Sequence, residues 1–469
     1  MLNRKQIARS FMPSPTPRSM IRPGRRLSLP PLALLITGQA LSGLGDRFFV
    51  VALPAILLQR YGTGTLALVL TVYGAARLAG LFLGGPFADR FPPRQIMLTA
   101  DVARAVVIGV LCLLAWTGRA GVWELCAATA LLGLASGTFL PANFSIIPAI
   151  VEESRIQRAT SLNYATTQAV ALGGPVIAGV AVARFGAGPA LAADAISYLV
   201  SVVTLWLMRR PAPDATAMRE ATAMRDATAI RDATAMRDAT AIRDATAIRD
   251  ATAMRDATAA PAARAAGLWG VLRERPLLKV IMTLAAVGNL GFAGVLEVGL
   301  PALLHQTVSP FAAAYGIVLG AFGLGALLGS LVVGARPTPR NPVRLAVALL
   351  LPQAVMLAAA GLTGGPAPTT LLFLGVGFTN AAANVLLMAV VQTAVPAEVR
   401  GRVFAALLVA SVGFFPVGAS LAGLLASATG PRAVFLLAAA LVAVTSLAGL
   451  MSRPVRFYPR GGEPHALRD

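Results

Sequence analysis

The sequence predicts an all-α membrane protein whose twelve transmembrane helices form two pseudo-symmetric six-helix bundles. Three observations carry that expectation. Of the 469 residues, 57% are hydrophobic and 13% charged, against about 25% charged in an ordinary soluble domain; the mean hydropathy is +0.72. Apolar stretches of roughly 20 residues, enough to cross about 30 Å of hydrocarbon as a helix, recur twelve times. A polar repetitive segment then separates these stretches six from six. Helix is the expected form because a membrane span must satisfy every backbone N–H and C=O within itself.

Residues 1–30 are rich in Arg and Pro without an apolar core of their own, and read as a basic cytoplasmic tail rather than a cleaved signal. The N-terminal bundle, 31–208, holds spans at 31–58, 65–87, 95–117, 121–147, 159–183 and 188–208. Residues 209–272 form a cytoplasmic linker that contains seven hexapeptide copies, from ATAMRE at 215 to ATAMRD ending at 256. Six residues advance a helix by about 600°, so the Arg and Asp positions spiral over three faces and no apolar stripe forms. The C-terminal bundle, 273–453, holds spans at 276–304, 311–334, 344–362, 368–394, 402–427 and 432–452, and 454–469 closes the chain as a second cytoplasmic tail.

The formal charge of +20 could suggest a nucleic-acid partner, but its distribution argues against one. Basic residues crowd the tails and the even-numbered connections, among them Arg25, Arg26, Arg90, Arg94, Arg155, Arg336, Arg340 and Arg400; the odd-numbered connections carry Arg60, Arg119, Arg184 and Arg432. By the positive-inside rule both termini lie in the cytoplasm, and the excess reads as topology. Cys112 and Cys126 flank a short hairpin and read as apolar filler before a disulfide. A faint internal repeat supports the two halves: ADRFPPR at 88–94 aligns with GARPTPR at 334–340, and Pro148 with Pro396, each closing the fourth helix of a half.

Between the second and third spans lies LGGPFADRFPPRQ, 83–95, expected as a cytoplasmic turn. Gly85 allows close helix approach, Asp89 can accept from N–H groups at a helix start, and Arg90 and Arg94 can pair with carboxylates or anionic head groups. In QAVALGGPVIAG, 168–179, Gly174–Pro175 loosens a helix and Gly179 lets it pivot against a neighbour.

Charges at mid-membrane depth cost about 2.5–3.5 kcal/mol each on insertion scales and default to functional roles. Asp46 lies in the first span beside Arg47, Arg77 in the second, and Glu297 deep in the seventh. Asp101 and Arg104, three apart on the third span, share a face and can pair. A proton-coupled carrier needs a carboxylate that desolvation brings toward neutrality, so that it loads on one side and unloads on the other. Asp46 and Glu297 are the candidates, although Asp46 can equally neutralise Arg47 or Arg77. Asn143, Asn289, Asn380 and Asn384 can line a path or hydrogen-bond between helices.

Taken together, the stretch with Gly85, Asp89, Arg90 and Arg94 resembles the major facilitator superfamily pattern G-x-x-x-D-R-x-G-R-K/R, with Pro92 and Pro93 departing from it. Gly174, Pro175 and Gly179 resemble the superfamily's antiporter motif G-P-x-x-G-G, with Ala178 as the departure. GDRFFVVALP (45–54), ADVARA (100–105) and QTAVPAEVRGRVFA (392–405) are similar to the drug:proton antiporter branch that includes macrolide effluxers and the enterobactin exporter. The resemblance covers both halves and omits the linker. It implies two bundles rocking about a midplane site, with Gly85, Asp89, Arg90 and Arg94 as a conformational latch and the first and fourth helices of each half facing the cavity.

ATP is not the expected energy source: the two lysines, Lys5 and Lys279, sit in no phosphate-cradling loop. His305 and His465 have no neighbouring ligand set for a metal, and no Ser/His/Asp constellation suggests an enzyme. The expected function is therefore secondary active export of a small amphipathic compound, drug or siderophore-like, against protons, with no cofactor beyond the proton gradient. Abundant Arg over Lys and heavy Ala and Gly use point to a GC-rich bacterium, hence its plasma membrane. An importer or facilitator of the same fold, or a non-transporting scaffold, are the alternatives.

Overall fold

The computed structural model describes residues 31–118, 121–151, 155–208, 276–337, 339–363, 365–394 and 397–458, excepting the side chains of 88–89, 393–394 and 397–412. The amino-terminal tail, the linker and most of the carboxy-terminal tail lie outside these residues, as does Pro396. Among the described residues the chain is helical with no strand: α1 (Pro31–Arg60), α2 (Thr63–Arg90), α3 (Pro93–Trp116), α4 (Val122–Ile150), α5 (Ile156–Phe185), α6 (Ala187–Leu207), α7 (Pro276–Thr307), α8 (Phe311–Gly334), α9 (Pro342–Leu362), α10 (Pro366–Ala394), α11 (Ala397–Thr429) and α12 (Pro431–Met451), then the short α13 (Arg453–Arg456). Proline opens α1, α3, α7, α9, α10 and α12, where its missing N–H would be unpartnered anyway and its fixed φ suits the first turn. Gly186 and Gly430, at φ 86° and 92°, make the corresponding turns α5–α6 and α11–α12, a backbone region glycine enters without a Cβ penalty.

The two halves repeat one packing scheme. In the first, α1 packs on α5 and α6, α4 on α2 and α3, and α3 on α6; in the second, α7 packs on α11 and α12, α10 on α8 and α9, and α9 on α12. Each pair is its counterpart moved six helices along. Lipid provides no hydrophobic drive between helices, so backbones must approach closely. Gly133 and Gly137 of α4 lie directly on the α2 backbone at Tyr73 and Arg77, and Gly325 and Gly329 of α8 on α10 at Leu374 and Phe378.

The halves meet through α5 against α8 and α2 against α11. The described contacts lie toward the ends away from the basic turns: Leu172 with Gly323, Val176 with Gly320, Gly179 with Gly316, and Gly74 with Phe415. Thr71 and Ser420 join their hydroxyls at 2.7 Å. The buried core divides the same way. One cluster runs across both halves at this end, uniting Val51 and Leu57 with Val298, Leu300 and Tyr315. At the basic end it gives way to separate clusters, Leu35, Met97 and Ile147 in the first half and Ile281, Val343 and Val391 in the second.

Three expectations need correction. The stretch 83–95 is not a turn throughout: α2 stays helical to Arg90, and the connection is Phe91, extended at φ −121° and ψ 144°, with Pro92. A residue before proline is pushed out of the helical region, and that stops α2 one turn later than expected. Likewise Pro148 does not close α4, which continues to Ile150. Finally, α7 is not uniform, for a π-helical turn, Val295–Gly299, interrupts it.

Candidate functional site

The intramembrane charges assemble into two groups. In the first half, Arg104 Nη1 meets Asp101 Oδ1 at 3.1 Å, and Ser201 Oγ of α6 donates to Asp101 Oδ2 at 2.7 Å. The guanidinium also lies 4.3 Å from the Phe139 ring centroid and 5.5 Å from that of Tyr198, geometry in which the ring quadrupole attracts a cation. Tyr198 in turn donates its hydroxyl to Asp46 Oδ1. Asp46 is exposed although it lies in the middle of α1, so one small chain of contacts links an open carboxylate to a buried ion pair.

Asp194 of α6 belongs to the same cluster and was missed by the sequence reading. It is 0% exposed, and neither carboxylate oxygen makes a well-formed hydrogen bond; the Ser197 hydroxyl beside it donates to the Asp194 backbone carbonyl at 2.7 Å. Gly45 makes room for it: a methyl there would stand 2.5 Å from Asp194 Oδ1. The signal was available, since an acid within an apolar span deserves the scrutiny given to Asp46 and Asp101.

The second group crosses between the halves. Glu297 sits in the π turn of α7, a distortion that recurs at functional sites, and the cations acting on it are Arg47 of α1 and Arg77 of α2. Their Nε atoms are buried without hydrogen-bond partners. Tyr315 of α8 secures the turn by donating to Leu296 O at 3.1 Å. Arg47 runs alongside Gly174, where a methyl would come 2.7 Å from its Cγ. Gly174 therefore serves the passage of Arg47, while Pro175 and Gly179 serve the contact with Gly316 of α8.

The remaining residues singled out in the sequence fall as follows. Asn143 accepts from Gln39 Nε2 at 2.6 Å, bridging α1 and α4. In the other half Asn289, Asn380 and Asn384 line one cavity of about 340 Å³; Asn289 Nδ2 donates to Ala285 O at 2.8 Å and Asn384 Nδ2 to Asn380 Oδ1 at 3.1 Å. At the basic end, Gly85 and Arg90 are exposed on α2, and the side chain of Asp89 lies outside the described residues. Arg94 donates through Nε to Leu205 O at 2.7 Å and through Nη2 to Trp206 O at 2.8 Å, capping the carbonyl end of α6 within its own half. Cys112 and Cys126 are free thiols.

Such an arrangement places charged groups of both halves near their interface, and the comparisons with known proteins bear on the fold that carries it. The sequence pattern of the Major Facilitator Superfamily matches residues 35–414. The chain is 26% identical over 184 residues to an uncharacterised MFS-type transporter, YfiS, of Bacillus subtilis (strain 168), a match spanning 39% of this chain and 43% of that protein. It is 24% identical over 422 residues, 87% of this chain and 91% of the relative, to the multidrug efflux pump Tap of Mycolicibacterium fortuitum. Among solved structures, a peptide transporter POT in complex with sulfate superimposes with a TM-score of 0.64 at 16% identity, covering 90% of this chain and 93% of that one. A POT family transporter in complex with 5-aminolevulinic acid does so with a TM-score of 0.64 at 15% identity, over 90% and 96%; at such identity the likeness speaks for the fold alone. The chain belongs to the Major Facilitator Superfamily and is a multi-pass membrane transporter of that fold.

Proposed function

We propose that the protein exports a small amphipathic compound in exchange for protons, by alternating access between its two halves. The observation that supports the coupling is Glu297, held in a π turn of one half and within the electrostatic reach of Arg47 and Arg77 of the other. A charged Glu297 draws the halves together across the midplane and a protonated one releases them, so proton binding changes which arrangement is favoured. Asp46, exposed on α1, is the second proton carrier, and the bilayer potential and proton gradient supply the energy, with no ATP. The direction of transport rests on the full-length likeness to Tap and on the Gly174–Pro175 hinge.

In this reading the basic turns face the cytoplasm and the chain is inward-facing, a reading supported by the buried core that joins the halves at the opposite end among the described residues. The latch of Gly85, Asp89, Arg90 and Arg94 engages when the inner side closes. Replacing Asp46 by Asn should abolish gradient-driven efflux from cells, read as uptake into everted vesicles, while sparing substrate binding; unchanged efflux removes Asp46 from the mechanism. Everted and right-side-out vesicles separate export from import, the alternative raised by the fold's occurrence among peptide transporters.

A further inference from the structure

A groove separate from both charge clusters lies in the first half, at the end away from the basic turns. It holds about 650 Å³ among the last turns of α1 and α3 and the first turns of α6. These are the helices whose middle parts carry Asp46, Asp101 with Arg104, and Asp194. Both α1 and α3 pack on α6, and the small side chains of Ala115, Ala187 and Ala192, with Gly188, leave space between the helix ends. The lining is graded with depth. Arg60 and Trp116 form the rim, and one turn further in, about 6 Å along the helices, stand Ile56 and Cys112. The Cys112 thiol donates to Gly188 O at 3.5 Å, which places its sulfur on the wall between α3 and α6.

Two observations say what the groove would take. Trp116 is 86% exposed and Trp123, at the start of α4, 80%; tryptophans gather at headgroup level, so the rim stands at the membrane boundary and the floor among acyl chains. Arg60 is the one charged side chain of the lining, is exposed, and among the described residues makes no hydrogen bond or ion pair. A lone cation above an apolar floor complements a phospholipid. The planar guanidinium matches phosphate oxygens in pairs, and buried methylenes below add apolar contact. A free phosphate gains nothing from the floor, and an uncharged solute gains nothing from the arginine's charge. Among phospholipids an anionic headgroup fits best, because it brings no ammonium to compete with Arg60.

We propose that this groove binds one anionic phospholipid, its phosphate on Arg60 and an acyl chain against Ile56 and Cys112, and that the lipid braces the ends of α1, α3 and α6. Its assignment to the outer leaflet rests on the orientation proposed above; the site itself depends on neither the direction of transport nor the proton coupling. Cys112 is the reporter. The full-length chain carrying Cys126→Ala is placed in nanodiscs of phosphatidylcholine alone, or of phosphatidylcholine and phosphatidylglycerol in equal parts, and the rate of Cys112 alkylation by N-ethylmaleimide is measured in each. Arg60 has no bond to lose among the described residues, so Arg60→Gln should keep its thermal midpoint. Both chains meet the same membrane surface charge, and their comparison isolates the groove.

Phosphatidylglycerol should slow alkylation at least about threefold more in the chain with Arg60 than in Arg60→Gln, as mass action requires of a largely occupied site. Arg60→Lys, which keeps the charge without the fork, should lie between them. Native mass spectrometry should find one phosphatidylglycerol retained with Arg60 and lost in Arg60→Gln. An equal effect of phosphatidylglycerol on both chains, or equal retention of the lipid by both, overturns the assignment. So does equal protection of Cys112 by inorganic phosphate in phosphatidylcholine alone, which would make the groove a site for a free anion. Protection by chloramphenicol in both chains likewise overturns it, and would give the groove to an uncharged solute.

Discussion

Gly179 of α5 and Gly316 of α8 hold the two halves together with no side chain between them: a methyl on either would stand 2.9 Å from the other's Cα. Backbones this close make the contact intolerant of volume, and overpacking a tight contact costs about 1–3 kcal/mol. Gly316→Leu should therefore weaken the arrangement closed at this end. A cysteine at Asn143, in a chain whose two native cysteines are serine, should react at least about fivefold faster with a membrane-impermeant thiol reagent added outside. Unaltered labelling would show that this contact does not seal the outer side.

Arg104 is the cation common to Asp101, Asp194 and Tyr198. Removing one partner of a buried pair leaves an uncompensated charge and costs about 3–5 kcal/mol, whereas replacing both by apolar groups is often neutral. Arg104→Leu should lower the thermal midpoint in detergent sharply, and Asp101→Leu with Arg104→Leu should recover much of the loss. Equal destabilisation by the single and double variants would mean that packing against Phe139, not charge, is what Arg104 contributes.

Much of this structure is legible in the sequence, for reasons that differ by residue. Asp101 and Arg104 are three apart on one helix, so local geometry alone brings them together, and apolar run lengths give the spans because lipid leaves the backbone no other solution. The electrostatic influence of Arg47 and Arg77 on Glu297 links residues some 220–250 positions apart, and no local pattern encodes it. Asp194 has no basic residue within its own span to pair with, so no local spacing marks it as Asp101 and Arg104 are marked; its place beside Gly45 comes from the packing of α6 on α1. The π turn at Glu297 is illegible too, since one extra residue in a turn has no compositional mark.

Arg94 shows how a motif residue can take a different partner from the one its charge suggests. Its two bonds to Leu205 O and Trp206 O satisfy carbonyls that α6 leaves orphaned at its end, where a cation also suits the helix dipole. Arg94→Ala should destabilise the first half by about 1–3 kcal/mol, and Arg94→Lys, which cannot present the fork, should recover only part. The readout is thermal unfolding with and without transport substrate. A variant of normal stability whose transport is lost would assign Arg94 to the latch instead.

Glu297→Gln preserves the shape of the π turn and removes its charge, so it separates the structural role of the residue from its electrical one. Arg47 and Arg77 would then face no anion from the other half, and the attraction that depends on proton occupancy disappears. Exchange of substrate across the membrane at equal concentrations and without a gradient should persist at about the wild-type rate, because alternating access itself needs no proton exchange in that assay. Uphill transport driven by a pH gradient should be lost. Glu297→Asp keeps the charge but draws the carboxylate back by one methylene; it should retain uphill transport at a reduced rate. If Glu297→Gln transports uphill as well as the wild type, the proton is carried by Asp46 or elsewhere in the first half, and the cross-half charges serve packing alone.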